Sequence, residues 1–507
     1  MTSHHLSHDF SPSRAQARAH LIEQLAQLVG FHQGYTDSFG KQVFAKDEAR
    51  HALLKAMGYD LTSDEAIEPQ IKRLNEQAWR NTLPATHIAK CEEQQHSLVI
   101  SIKTNASDTI AWNIITESGE SFSEQISLSS LVKLDETHLD GEHFAKYQLT
   151  LPNLEQGYHQ LSVSYDSTNY DSTKANCHLI FAPKTCYSPQ EASSDKMWGY
   201  AAQLYSLRSE NNWGMGDFGD LLSLVEKSAK QGVSAIGLNP LHPLYPNNPA
   251  HRSPYSPTSR CFLNVMYIDV TKVPNYDDCK AAQKRFNSDE FQAKLAVAKE
   301  SELIDYVAVA DVKYQILALL FKDFSANANK GLLSEFHDFK VEQGNDLLSL
   351  TTFDALYEHF RAQDENAYGW KMWPAAYQEP SSDEVKAFQT SHASRINYFA
   401  FLQWLAHRQL TTVAQTAKEL GMPVGLYLDL AVGCDGSGVD VWCDKDVYVS
   451  GAAVGAPPDA MNTLGQDWGL TPINPVALKQ QGYLPLVKAL RSNMQYAGAL
   501  RIDHILG

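Results

Sequence analysis

Between residues 97 and 181 apolar side chains recur at every second position, and beyond Lys196 that pattern gives way to short unbroken apolar runs separated by helical stretches. Successive side chains of a strand point to opposite faces. Alternation therefore describes a sheet with one face packed and the other wet, whereas an unbroken run describes a strand covered on both faces. The chain reads as two kinds of β structure in series. In the first, Leu98, Ile100 and Ile102 alternate with Val99, Ser101 and Lys103, and further strands are predicted over 109–116, 143–151, 159–165 and 175–181. Five short strands with turn signals between them predict an all-β sandwich. Gly157-Tyr158 opens the fourth strand, where the tyrosine is either a sandwich-corner residue or an ordinary strand-start aromatic.

Ahead of the sandwich, residues 16–80 carry helical signals, with Leu21, Leu25 and Leu28 at spacings of four and three and a short amphipathic stretch over 47–57. Behind it, residues 182–196 are polar and read as a linker. Apolar strands are then predicted over 197–204, 234–238, 423–430 and 499–505, with a helix over 217–231. Buried strands separated by helices argue for parallel βα units. Between the second and third strands lies an insertion of roughly 150 residues, with helical signals over 311–324 and 396–412, and an insertion of that size belongs to the functional face of a barrel. The expected fold is α/β: parallel βα units over 186–507, carrying a helical insertion at about 270–415, preceded by a helical region over 1–90 and a β-sandwich over 91–185.

Lys and Arg number 42 against 59 Asp and Glu, a formal charge of −17, which disfavours nucleic acid and anionic membrane as partners and suits a neutral or cationic ligand. The seven cysteines are odd in number and never spaced CxxC, so neither a disulfide framework nor a structural zinc site is indicated, and a reducing cytoplasm is the expected setting. The first ten residues hold His4, His5 and His8, either a metal-binding cluster or a polar tail, and contain no apolar signal core. No apolar run reaches membrane-spanning length. Phosphate cradles of the GxGxxG or GxxxxGK type, a GxSxG elbow and an HExxH helix are absent, so nucleotide, acyl-hydrolase and metalloprotease readings lose their usual anchors.

The residues that carry chemistry stand at strand ends. Arg501 and Asp503 share one face of the last strand, with Leu500 and Ile502 on the other. A guanidinium beside a carboxylate keeps it ionised and fixes its direction, as a nucleophile attacking a sugar carbon requires; a structural ion pair would look the same. Gly425, Tyr427 and Asp429 repeat that arrangement opposite Leu426, Leu428 and Leu430, and Asp429 is either a carboxylate at the catalytic rim or the cap of a turn. Tyr255, between Pro254 and Pro257, is held at low entropy cost with a flat apolar face and a polar tip suited to sugar rings, or else packs on the surface. Asp459, Gln466 and Trp468 lie in a stretch punctuated by glycine and proline. Their composition is that of a carbohydrate subsite, with Gln466 and Asp459 for hydroxyls and Trp468 for stacking, or of a plain connector.

Taken in order, the run from Leu207 through Trp213-Gly214-Met215-Gly216-Asp217 to Leu221, Ser253-Pro254-Tyr255-Ser256-Pro257, Asp429-Leu430-Ala431-Val432-Gly433, Gly455-Ala456-Pro457-Pro458-Asp459 and Leu500-Arg501-Ile502-Asp503-His504 resemble the 4-α-glucanotransferases, or amylomaltases, of the longer bacterial type. The resemblance implies that residues 186–507 are the first half of a (β/α)8 TIM barrel related to the α-amylases. It implies Asp503 as nucleophile, Arg501 as its partner, Asp429 as a residue deep in the cleft, and Tyr255, Asp459, Gln466 and Trp468 as substrate contacts. It implies malto-oligosaccharides and glucose as ligands and no metal or organic cofactor. Leu428 departs from the pattern, standing where some relatives carry arginine. The family's acid/base glutamate and third aspartate lie on later strands, so residues 1–507 are expected to be the front portion of a longer enzyme and inactive alone.

Overall fold

The computed structural model describes residues 14–103, 108–166, 172–187 and 196–504. His4, His5 and His8, most of the expected linker and Ile505 lie outside the described residues.

Three helices open the chain, Arg14–Leu28, Asp47–Ala56 and Asp64–Arg80. Ser63 starts the third by accepting a hydrogen bond from the Ala66 amide, and Asp64 and Glu65 face the positive end of its dipole. Leu25, Leu54, Ile67 and Ile71 close a small core, while Leu28, at the end of the expected stripe, stays on the surface.

Two sheets follow. One has the order Thr86–Lys90, Ser172–Ala182, Gly157–Asp166, Thr109–Ile115, Ser121–Ser127; the other has the order His96–Lys103, Glu142–Leu151, Val132–Leu139. The alternating residues meet between them, Leu98, Ile100 and Ile102 facing a core that includes Ile114, Leu161, Val163 and Phe181. Thr86–Lys90, Ser121–Ser127 and Val132–Leu139 are strands that periodicity misses. All three lie at sheet edges, and the last two bury almost nothing, so backbone pairing places them rather than an apolar face. Tyr158 is no corner residue: its ring is exposed, with the Arg491 guanidinium 4.9 Å above it.

The remaining region is built on four parallel strands, β1 (Gly199–Ala202), β2 (Ala235–Leu238), β3 (Gly425–Leu430) and β4 (Ala499–Ile502), in the order β1-β2-β3-β4. The sheet is open. Two expectations fail at its edges. β1 is short and exposed instead of an apolar strand over 197–204, because it has a neighbour on one side only, leaving Trp198 and Tyr200 half exposed. Ile502 was expected to pack with Leu500. Leu500 does pack against the core, but β4 stops at the other edge and Ile502 is 44% exposed.

Helix Phe218–Ala229 begins at Asp217, whose carboxylate accepts from the Gly219 and Asp220 amides while Asp220 reaches back, a reciprocal capping box. Between β2 and β3 the chain forms long helices, among them Tyr306–Asn327, Lys330–Gln363 and Ala393–Glu419, which share one aromatic-rich core with the inner face of the sheet. Between β3 and β4 periodicity indicates a long loop. The chain instead makes a small antiparallel sheet (Cys434–Asp435, Gln466–Thr471, Val454–Ala456) and the helices Pro475–Gln480 and Leu484–Met494.

Those two helices are where the sandwich docks. Thr86 Oγ1 donates to the Lys479 carbonyl at 2.5 Å, and Arg491 pairs with Glu117. Gly482 sits at φ +64° against His178, where a Cβ would meet the imidazole at 2.4 Å, so only glycine meets both demands. Val476 also joins the core of the N-terminal helices.

Candidate active site

The parallel register of β3 and β4 sets Asp429 beside Arg501. Leu426, Leu428 and Leu430 point into the protein and are almost fully buried, so Asp429 and Tyr427 share the opposite face. Arg501 Nη1 donates to Asp429 Oδ2 at 2.9 Å and Nη2 donates to Asp503 Oδ1 at 2.6 Å. One half-exposed guanidinium thus bridges two carboxylates, one deeply buried and one partly open. Both charges hold the guanidinium pKa above its ordinary value, Asp429 most strongly. Burial, aided by the negative charge of Asp503 and opposed by Arg501, holds the Asp429 carboxyl above the usual carboxylate range. Asp429 Oδ1 is buried and makes no hydrogen bond with the described residues. Such an oxygen is an acceptor aimed at something that donates.

β4 ends at Ile502, so Asp503 leaves the strand on a turn completed by His504 at φ +45°. Its carboxylate lies at the strand's carboxyl end, the position at which barrel enzymes carry their catalytic groups.

Tyr255 is brought to the same place. Burial raises its hydroxyl pKa, and the charges of Asp429, Arg501 and Asp503 all act on it. Its loop is held from behind: His251 Nε2 donates to the Ser256 carbonyl at 2.7 Å, and the Asp435 amide donates to the Pro257 carbonyl at 2.8 Å. Tyr368, from the helical insertion, donates to Asp435 Oδ2 at 2.6 Å and lies 2.9 Å from His251 Nδ1. Sequence reasoning missed this brace. His251 adjoins the loop and was a visible signal, whereas Tyr368 lies more than a hundred residues downstream with none.

Trp468 packs edge-on against His504 with ring centroids 5.0 Å apart, and its indole N–H donates to Gln466 Oε1 at 3.2 Å. Both stand on the strand Gln466–Thr471 instead of in a loop. Asp459 makes its hydrogen bonds within its own loop. Its Oδ1 accepts from the Met461 and Asn462 amides at 2.8 and 2.6 Å, so the carboxylate closes its own turn after Pro457-Pro458, an ordinary use of aspartate in turns.

Beneath the site, Arg260, His242 and Asn493 are buried polar residues that sequence reasoning also passed over. The Ala431 amide donates to His242 Nε2 at 3.2 Å, and burial and the nearby Arg260 charge push the His242 pKa down to about 3, keeping the ring neutral. Arg260 Nη1 donates to the Ala431 and Val432 carbonyls at 3.3 and 3.1 Å.

Carboxylates joined by an arginine at the carboxyl end of a parallel sheet, with a tyrosine and a tryptophan beside them and a β domain ahead of the sheet, describe an α/β protein with its candidate site at the strand ends. A family profile described as 4-alpha-glucanotransferase (Glyco_hydro_77) matches residues 202–507, and one described as MalQ N-terminal beta sandwich domain matches residues 82–183. The chain belongs to the 4-alpha-glucanotransferase family. It is 41% identical over 365 residues to a 4-alpha-glucanotransferase of Haemophilus influenzae, a match covering 71% of this chain and 52% of that protein. It is 30% identical over 499 residues to a Mycobacterium tuberculosis 4-alpha-glucanotransferase, covering 96% of this chain and 65% of the relative. The crystal structure of amylomaltase from Corynebacterium glutamicum aligns with a TM-score of 0.78 at 28% identity, over 96% of this chain and 65% of that one. An amylomaltase from Streptococcus agalactiae in complex with acarbose shares the fold at a TM-score of 0.52 and 20% identity, over 61% of this chain and 59% of that one. The chain thus spans between about half and two thirds of the length of these curated relatives.

Proposed function

We propose that this protein is a 4-α-glucanotransferase that moves a segment of a 1,4-α-glucan from a malto-oligosaccharide donor to glucose or another glucan by a retaining double displacement. The observation that carries the reading is the Arg501 guanidinium shared by Asp503 and Asp429, in a chain of this family. In the proposed reaction Asp503 attacks the anomeric carbon while an acid protonates the departing glucan. An acceptor hydroxyl then displaces the carboxylate with the same acid acting as base, the two carboxyls standing roughly 5–5.5 Å apart. Asp429 accepts a sugar hydroxyl through Oδ1, and Tyr255, Gln466 and Trp468 contact the chain of sugars. Asp459 is kept as a substrate contact through Oδ2, since Oδ1 already accepts from two amides of its own turn.

Transfer has to outrun hydrolysis. With water at about 55 M and acceptor at about 1 mM, a tenfold excess of transfer needs a per-molar preference of ~10⁶, or about 8 kcal/mol. Acceptor orientation and exclusion of water are the means to reach that. We further read β1 to β4 as the first four strands of an eight-stranded barrel, in keeping with their sequential parallel order and the apolar residues at both edges. The cytoplasm is the compartment proposed, the seven cysteines all being free. Among the described residues no helix is long and apolar enough to cross a membrane.

Incubating maltotriose with the protein as its host makes it, and separating products by length, tests the reading. Longer and shorter glucans are expected, with a loss of at least about 10³-fold on Asp503→Asn. Glucose and maltose without longer products would replace transfer by hydrolysis, and binding without turnover would make it a glucan-binding protein.

A further inference from the structure

The carboxyl end of β3 is gripped on both sides of one residue. Ala431 follows Asp429 by two positions; its amide donates to His242 and its carbonyl accepts from Arg260, which also holds the Val432 carbonyl. All three residues are nearly inaccessible, Ala431 at 1%, His242 at 1% and Arg260 at 5%. A guanidinium in such a place is costly unless it is matched. Its Nε finds no hydrogen-bond partner among the described residues, and its charge is met by the two backbone carbonyls and, at longer range, by the negative charge of the Asp440 carboxylate. Its own backbone is fixed as well: its amide donates to Asp440 Oδ2 at 3.1 Å, and its carbonyl accepts from Asn493 Nδ2 at 3.0 Å. Asn493 lies on helix Leu484–Met494, which leads into β4 and carries the Arg491 pair with Glu117 of the sandwich. A second tie, Lys488 to Asp346, binds that helix to the insertion.

We propose that Arg260 is a positioning residue for the active site, holding the carboxyl end of β3 so that Asp429 meets Arg501 in register, with Asn493 tying it to the helix that delivers β4. The two strand ends that bring Asp429 and Asp503 together converge on this one residue, the segment after β3 through the guanidinium on the Ala431 and Val432 carbonyls and the helix before β4 through Asn493 on the Arg260 carbonyl. A planar fork spans neighbouring carbonyls where an ammonium gives a single point of charge, so lysine is an incomplete substitute. Displacing a reacting group by about 1 Å costs on the order of 10²-fold in rate, which sets the expected scale. The assignment rests on the proposed transferase reading for its catalytic consequence, though not for the grip itself.

The test uses Arg260→Lys, Arg260→Gln and Asn493→Ala, read by amide hydrogen exchange and by maltotriose disproportionation. Exchange at Ala431 and Val432 is expected to quicken at least tenfold, with amides of the sandwich strand Gly157–Asp166 unchanged. The kcat is expected to fall about 10- to 100-fold with KM within threefold, Arg260→Lys lying between the parent and Arg260→Gln. Should Arg260→Gln not fold, Asn493→Ala, which leaves the guanidinium in place, carries the test. Unchanged exchange at 431–432, exchange quickened equally throughout 202–504, or a rise in KM matching the fall in kcat would overturn the assignment. If the parent redistributes no maltotriose, the transferase reading fails by itself, and local against global exchange still decides the role of Arg260.

Discussion

The sandwich and the parallel-strand region differ most in what they bury. Among the described residues, the buried Asp, Lys and Arg side chains are Asp217, Arg260, Lys313, Asp354 and Asp429, and every one lies within 202–507. Within 82–183 the buried polar residues are Thr82, Thr86, His96, Ser101 and His159, none of which carries a fixed charge. A sandwich pairs its backbone within its own sheets and needs only an apolar filling between them. The parallel-strand region has to hold irregular strand ends and long connections at defined positions, and charged side chains do that by binding backbone groups. Lys313 donates to the Met266 and Ile268 carbonyls at 2.9 and 2.8 Å and stands 3.4 Å from Asp217, the cap of helix Phe218–Ala229. Lys313, Arg260 and Asp217 therefore mark where geometry is being enforced.

Three measurements break or sharpen that contrast. The largest effect is expected from Lys313→Met, which leaves the buried Asp217 carboxylate and two carbonyls uncompensated. A loss of about 3–5 kcal/mol in urea denaturation is expected, and a loss below about 1 kcal/mol would show that the buried ions hold nothing. Burial already pushes Asp217 up to about 6 against the pull of Lys313, so removing the lysine moves the carboxyl further toward neutrality. Next, Leu161→Ala in the sandwich removes a fully buried side chain, with an expected cost of roughly 2–5 kcal/mol that does not change between about pH 5 and 8. A pH-dependent cost there would erase the distinction between the two cores.

The smallest effect is expected from Asp429→Asn. The folded-state pKa of Asp429 is raised, so the stability it contributes is present below the ordinary carboxylate value near 3.9 and is lost as pH rises through the folded value. At pH 7 the asparagine variant is expected to melt at the same temperature as the parent or up to about 2 °C higher, with the gap closing toward pH 3, while transfer activity falls. A clear drop in melting temperature at pH 7 would make Asp429 a structural ion-pair partner.

Much of both regions is legible in the residues themselves. Leu98, Ile100 and Ile102 announce a packed face because period two has one structural meaning. Leu426, Leu428 and Leu430 likewise oblige Asp429 to face the other way, and Pro254 and Pro257 mark Tyr255 as held. Edge strands such as Ser121–Ser127 escape, because a strand that buries no face leaves no apolar period to read. Asp459 is ambiguous in the sequence for a related reason: a carboxylate after two prolines suits a turn and a ligand equally, and only the tertiary structure shows Oδ1 on the Met461 and Asn462 amides.

By itself, then, the sequence determined which side chains share a face and which motifs stand at strand ends, since both follow from local periodicity along one chain. The tertiary structure alone decided that Asp429 lies against Arg501, that Tyr368 braces the Tyr255 loop, and that Arg260 and Asn493 tie β3 to the helix before β4. Those meetings join residues from tens to more than two hundred positions apart. They depend on which strands pair and which helices cross, and no local pattern carries that information.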